Sequence, residues 1–137
     1  MNHLHRRNSA FTLVELVIVV LILGILAAVA APRMFDTAGD ARTNATRHSL
    51  TIVRDAIQLY RAQNNALPGE AGTEADLVAD LATMLNGPFP QASVGNVGST
   101  VRIQTSGAAL SASGSESWAY DNTTGDFIVN NAVGATW

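Results

Sequence analysis

Few side chains in this sequence could do chemistry. The 137 residues include no Cys, which excludes thiolate nucleophiles, thiolate metal sites and disulfides. The three His stand at positions 3, 5 and 48, a spacing that supplies neither a metal-ligand set nor a Ser-His-Asp triad. Asp121 and Asp126 flank a turn and could be read as an acid–base pair, but no apolar pocket surrounds them in sequence. With Asn122 and Asn130 they also carry the oxygens that Ca²⁺ takes, although Asx residues in such a stretch act more simply as turn formers. His48 reads as a surface residue of a helix rather than a ligand. The unusual carboxylate is Glu15. From Phe11 to Ala31 only Thr12 and Glu15 are polar, and an unpaired carboxylate in an apolar membrane layer costs about 2.5–3.5 kcal/mol on insertion scales. A charge held at such cost points to a partner charge, not to catalysis.

The element that carries Glu15 is long enough to cross a bilayer. Leu13 to Ala31 is 19 residues, roughly 28 Å as a helix. Arg6 and Arg7 precede it with no acidic residue between, so the positive-inside rule puts Met1–Ala10 in the cytoplasm and the remainder across the membrane. A secretory signal cut near Ala28–Ala31 would place Pro32 just after the cut, which is unfavourable. A twin-arginine signal fits less well still, because Asn8-Ser9 follows the arginine pair. A plain membrane anchor explains the length and leaves the glutamate unexplained.

The stretch Ser9-Ala10-Phe11-Thr12-Leu13-Val14-Glu15-Leu16, behind a short basic leader, resembles the N-terminal cleavage and methylation signal of type IV pilins and type II secretion pseudopilins. The resemblance runs from Ala10 to Ala31, with Pro32 where the family often has a proline. It implies that a prepilin peptidase cuts between Ala10 and Phe11 and methylates the new Phe11 amine. It also implies that Glu15 is the assembly glutamate. The family usually has Gly before the cut; Ala10 keeps a small residue there. Glu15 has a physical reason to matter in such an assembly. Cutting before Phe11 creates an amine in the same apolar layer, and a pair formed between neighbouring chains relieves the charge only when a second subunit docks in register.

Beyond Pro32 the helical period resumes. Phe35, Ala38, Ala41, Ala45, Ser49, Ile52, Ala56 and Leu59 recur every three or four residues, and Leu50, Val53, Ile57 and Tyr60 widen the stripe. The thin, Ala-rich part suits close contact with other helices and the bulky part suits packing on a core. Gly24 and Pro32 are positions where the helix can bend. It should stop at Asn64-Asn65, before Pro68-Gly69. Arg47, Arg54 and Arg61 recur every seven residues; a solvated face is the simpler reading. The other is a basic stripe that meets Glu70, Glu74, Asp76 and Asp80 of a neighbouring subunit.

Thr73-Glu74-Ala75-Asp76 opens a second helix by a cap, with Leu77, Leu81, Met84 and Leu85 on one face and a stop at Asn86-Gly87-Pro88. Its acidic residues support the helix N-terminus. Thr100–Thr105, Trp118–Tyr120 and Phe127–Val129 read as strands, the last two joined by a turn at 121–126. Trp118, Tyr120 and Trp137 read as core or edge packing. Ser106–Ser115 is a loop of small residues.

The whole reads as an α+β fold. A long N-terminal helix, membrane-spanning in its first half, packs by its second half on a small antiparallel sheet, a pilin-like arrangement. Residues 1–10 form a cytoplasmic leader, 11–32 a transmembrane or filament-core helix, 33–64 its amphipathic continuation and 65–137 a small globular domain. Composition agrees: 47% of residues are hydrophobic and 14% charged, against about a quarter charged in an average domain, which excludes wholesale disorder. All eight basic residues are Arg, and the net charge is −3. Without the leader six arginines face eleven carboxylates, so a nucleic-acid-coating protein is excluded. The resemblance implies a filament subunit and not an enzyme, without cofactor or resident metal. Its partners would be copies of itself, related pilin-like subunits, the prepilin peptidase, an inner-membrane assembly platform and membrane lipid. It would sit in the inner membrane with a periplasmic C-terminal domain, then in a periplasmic pseudopilus or surface filament. The absence of Cys favours a pseudopilin over a large adhesive pilin. A different reading, a single-pass anchored or secreted periplasmic binding domain, would make the Phe11–Glu15 pattern an accident.

Overall fold

The computed structural model describes residues 11–137, apart from the side chains of Arg33, Phe35 and Asp36. Helix α1 runs Leu13–Asn64, 52 residues, through both Gly24 and Pro32. Its first part is built almost wholly from Leu, Ile, Val and Ala, whose summed helix preference survives one Gly and one Pro. At its end Asn65 adopts the left-handed conformation (φ 52°) and its N–H donates to the Arg61 carbonyl at 2.9 Å. That closes the last turn in the manner of an αL cap. The stop at Asn64-Asn65 agrees with the sequence expectation.

The chain divides into two units, Met1–Gly39 and Asp40–Trp137. In the first, the described apolar side chains from Phe11 to Met34 are exposed. The second holds the core. α1 contributes Leu50, Val53, Ala56 and Ile57, all buried, while Ile52 and Leu59 stay exposed at 38% and 46%. The single broad stripe expected from the sequence is therefore two faces. Helix α2, Glu74–Leu81, adds Leu77 and Leu81. It is shorter than the expected run to Asn86: Met84 and Leu85 pack on the core from a following turn whose N–H groups donate to the Leu81 carbonyl at 2.9 Å.

Three short strands complete the unit: β1 Val101–Gln104, β2 Trp118–Asp121 and β3 Phe127–Val129, in the order β1-β2-β3. β2 and β3 pair antiparallel, Trp118 opposite Val129 and Tyr120 opposite Phe127. β1 and β2 pair in parallel, Val101 opposite Trp118, so the sheet is mixed where an all-antiparallel sheet was expected. Parallel pairing needs a connection long enough to return along the strand. The small-residue loop after β1 supplies it and is pinned at several points. Arg102 donates to the Ser111 carbonyl at 2.6 Å and Gln104 to that of Ala108 at 2.6 Å. Buried Asn130 accepts from Ser113 N–H at 2.8 Å and donates to the carbonyls of Ser113 and Glu116 at 2.7 and 2.9 Å.

Aromatic residues fill the centre. The Phe127 ring lies 5.2 Å from that of Trp118, 6.3 Å from Tyr120 and 6.4 Å from Phe89, in tilted and edge-on arrangements. Trp118 Nε1 donates to the Pro90 carbonyl at 3.1 Å and Tyr120 OH to that of Pro68 at 2.9 Å, so burial of these rings leaves neither polar tip unpaired. Buried Thr46 on α1 ties down the segment between α2 and β1: its Oγ1 donates to the Arg42 carbonyl and accepts from Ser93 N–H, both at 2.9 Å.

Candidate assembly site

The head of α1 is organised by Thr12. Its Oγ1 accepts from Glu15 N–H at 3.2 Å and its carbonyl from Leu16 N–H at 3.2 Å. Thr12 is thus the N-cap, Phe11 the residue before it and Glu15 the third residue of the helix. Glu15 is the acidic residue of the first turn, where the exposed N–H groups favour negative charge. A Thr with Glu three residues on is the capping-box spacing. Sequence reasoning used the same Thr and Glu and missed the cap, although the spacing was legible. Phe11 lies outside the helix and is 75% exposed. Ala10, with Arg6 and Arg7, lies outside the described residues. Glu15 stands in the first turn of an apolar helix whose described side chains from Leu13 to Ala31 are all exposed. Helix α1 contains a window long and apolar enough to cross a membrane. A Cβ added at Gly24 would meet nothing within 4 Å, so no side chain of this chain packs on the helix there.

The other candidate residues sit in the second unit and are engaged there. Both carboxylate oxygens of buried Asp121 are used. Oδ1 accepts from Thr123 N–H at 2.8 Å, from the Thr123 hydroxyl and from Thr124 N–H at 3.3 Å. Oδ2 accepts from Gln104 Nε2 and Gly107 N–H, each at 2.9 Å. Burial alone would push this carboxyl up; the bonds from Thr123, Gln104 and Thr124 outweigh it and hold it at about 2. Asp126 is exposed and accepts from the Thr124 hydroxyl at 3.0 Å. Gly125 completes the turn at φ 82°, a conformation that suits Gly. Among the described residues no three of His, Asp or Glu gather so as to hold a metal ion.

The arginine repeat is neither a uniform solvated face nor a free stripe. Arg54 donates through Nε to the Phe127 carbonyl at 3.0 Å and through Nη2 to the Trp137 carbonyl at 2.8 Å. The Arg47 guanidinium lies 4.6 Å from the centre of the Trp137 ring. Arg61 is exposed. The acidic residues likewise hold their own chain. Glu74 accepts from Val101 N–H at 3.0 Å, Asp76 from Ala71 N–H at 2.8 Å and Asp80 from Gly69 N–H at 2.8 Å. Thr73 caps α2 as expected, accepting from Asp76 N–H at 3.3 Å. Desolvation, then the charge and hydrogen bond of Asp80, push the Tyr60 hydroxyl up. Sequence reading had no signal for the Arg54 and Glu74 contacts, because their partners are main-chain groups far along the chain.

Comparison with known proteins bears on the N-terminal segment most directly. Residues 5–31 match the family described as the prokaryotic N-terminal methylation motif. The chain is 35% identical over 71 residues to the type II secretion system core protein G of Pseudomonas aeruginosa, covering 51% of this chain and 50% of that protein. It is 34% identical over 71 residues to the protein of the same name from Aeromonas hydrophila, with the same coverage. It is 37% identical over 62 residues to a type IV narrow pilus major component of Thermus thermophilus, covering 45% of this chain and 53% of that one. The chain spans about half the length of the curated relatives it matches. No solved structure matches it. These relatives are named as components of pili and of a secretion apparatus, not as enzymes. An N-terminal methylation motif heads an exposed apolar helix, and the chain that carries it resembles the pilins and type II secretion pseudopilins.

Proposed function

We propose that this chain is a structural subunit of a type IV pilus-like filament or type II secretion pseudopilus. A prepilin peptidase cuts between Ala10 and Phe11 and methylates the Phe11 amine. Until assembly the apolar part of α1 anchors the subunit in the inner membrane, with the unit Asp40–Trp137 on the periplasmic side. Subunits then leave the membrane and bundle their N-terminal helices, each Glu15 meeting the Phe11 amine of a neighbour. Gly24 and Pro32 give the helix places to bend in the bundle. The observation that carries this reading is the methylation motif at the head of a helix whose apolar side chains are exposed. An apolar surface of that size is stable only in lipid or against other such helices. The Thr12 cap adds to it, because it starts the helix after Phe11 and leaves Phe11 outside it.

The test is mass spectrometry of the N-terminus in protein taken from cells that make it. A mature chain beginning with N-methyl-Phe11 is expected. An intact Met1 would favour a permanently anchored binding domain, and a new start near Pro32 a secreted one; either result refutes the filament reading.

A further inference from the structure

Resting on that filament reading, we propose that α1 carries a second, outward seam within the unit Asp40–Trp137 on which another copy of this chain docks in parallel, displaced by one seven-residue repeat so that His48 of one copy lies level with Asp55 of the next. Ala41, Ala45, His48, Ile52, Asp55 and Leu59 follow one another along α1 in steps of four and three, and every one of them is exposed. Alternating such steps repeats the pattern every seven residues, the spacing at which two helices keep one seam in contact. The face that α1 turns to its own core is a different one, made by Leu50, Val53 and Ile57. At 100° per residue these three are displaced by roughly 100–160° around the helix from Ile52. The seam is therefore not used by the fold of its own chain, and Ile52 and Leu59 are large apolar side chains left in water.

Its pattern selects the occupant. Two columns alternate, one of Ala45, Ile52 and Leu59, the other of Ala41, His48 and Asp55. A plain apolar partner would strip water from Asp55 and give nothing back. A second copy in parallel register sets Asp55 against Asp55 and His48 against His48, which is repulsive where charged. Sliding that copy by seven residues, about 10.5 Å, keeps the period matched and sets His48 against Asp55. The same slide puts Ala45 opposite Ile52 and Ile52 opposite Leu59, so that residues of different size interdigitate. The displaced contact leaves an unmatched end on each copy, and a contact of that kind propagates instead of closing on itself. A filament needs this property and a two-fold dimer lacks it.

The chain has no Cys, so introduced thiols are the only ones. The full chain carrying both His48→Cys and Asp55→Cys, oxidised in the cells that assemble it, should give a ladder of disulfide-linked multimers on a non-reducing gel. Neither single variant should link to itself, and the two singles made together should give a dimer. The pair Thr51→Cys and Gln58→Cys, both exposed, has the same spacing on a face turned about 60° from the His48 and Asp55 column and about 100° from the Ile52 and Leu59 column, and should give no ladder. Dimers from a single variant would mean in-register pairing, and a ladder that stops at the dimer would mean an antiparallel pair; both overturn the proposal. So does an equal ladder from the control pair, or no ladder in cells whose filaments contain N-methyl-Phe11. That last result leaves the filament reading standing, whereas an unsubstituted chain with intact Met1 removes both. Independently, His48→Asp should lower filament yield at least fivefold and His48→Asp with Asp55→His should restore it. Failure of the swap to restore refutes the stagger.

Discussion

Arg54 should be the arginine of the seven-residue repeat on which the fold depends. Replacing it by Met keeps the aliphatic stem and its packing while removing both donors. The Phe127 carbonyl belongs to a buried residue and would lose its charged donor at 3.0 Å. Leaving such an acceptor unsatisfied costs about 1–3 kcal/mol. The Trp137 carbonyl, on a half-buried residue, regains water more easily, and its loss adds about 0.5 kcal/mol. The expected total is about 2–3 kcal/mol. For a unit of roughly 100 residues, at 4–8 °C per kcal/mol, Tm should fall by about 10–20 °C. Thermal melts of the full chain in detergent, followed by near-ultraviolet circular dichroism of the packed Trp118, would report it. Arg61→Met is the comparison: it removes the same charge from an exposed position in the last turn and should cost at most about 1 kcal/mol. Equal losses for the two variants, or an Arg54→Met chain that melts within 2 °C of the parent, would refute the reasoning.

Two further outcomes are expected. Asp121 has a folded-state value of about 2, below its ordinary 3.8, so the stability it contributes is complete above the unfolded value and is lost as pH falls through about 2. Asp121→Asn should therefore be less stable at pH 7 by about 2 kcal/mol, with the gap to the parent closing between pH 5 and pH 2; a gap that does not change with pH argues against it. Glu15→Ala should leave the amount of protein in the membrane fraction unchanged and reduce filament yield at least tenfold; unchanged yield would count against the pairing of Glu15 with a neighbour's amine.

Much of this molecule was legible in the amino-acid sequence, and the legible parts share a cause. The apolar run from Leu13, the stop at Asn64-Asn65, the cap at Thr73 and the three strands are written in neighbouring residues, through periodicity and turn chemistry. The Phe11-Thr12…Glu15 signal is equally local, and its match to a known motif follows from residues 5–31 alone. What the sequence left open depends on main-chain groups that meet from far apart. Periodicity could tell that α1 has apolar positions at 50, 52, 53 and 59, but not that Leu50 and Val53 are buried in the core while Ile52 and Leu59 stay in water. It could tell that Arg54 is charged, but not that carbonyls 73 and 83 residues away lie within its reach. The parallel pairing of β1 with β2 rests on a loop held by Arg102, Gln104 and Asn130, whose partners are carbonyl and amide groups common to every residue type. Side-chain pattern is written in the chain, whereas the identity of a backbone partner is decided only when the tertiary structure brings the two together.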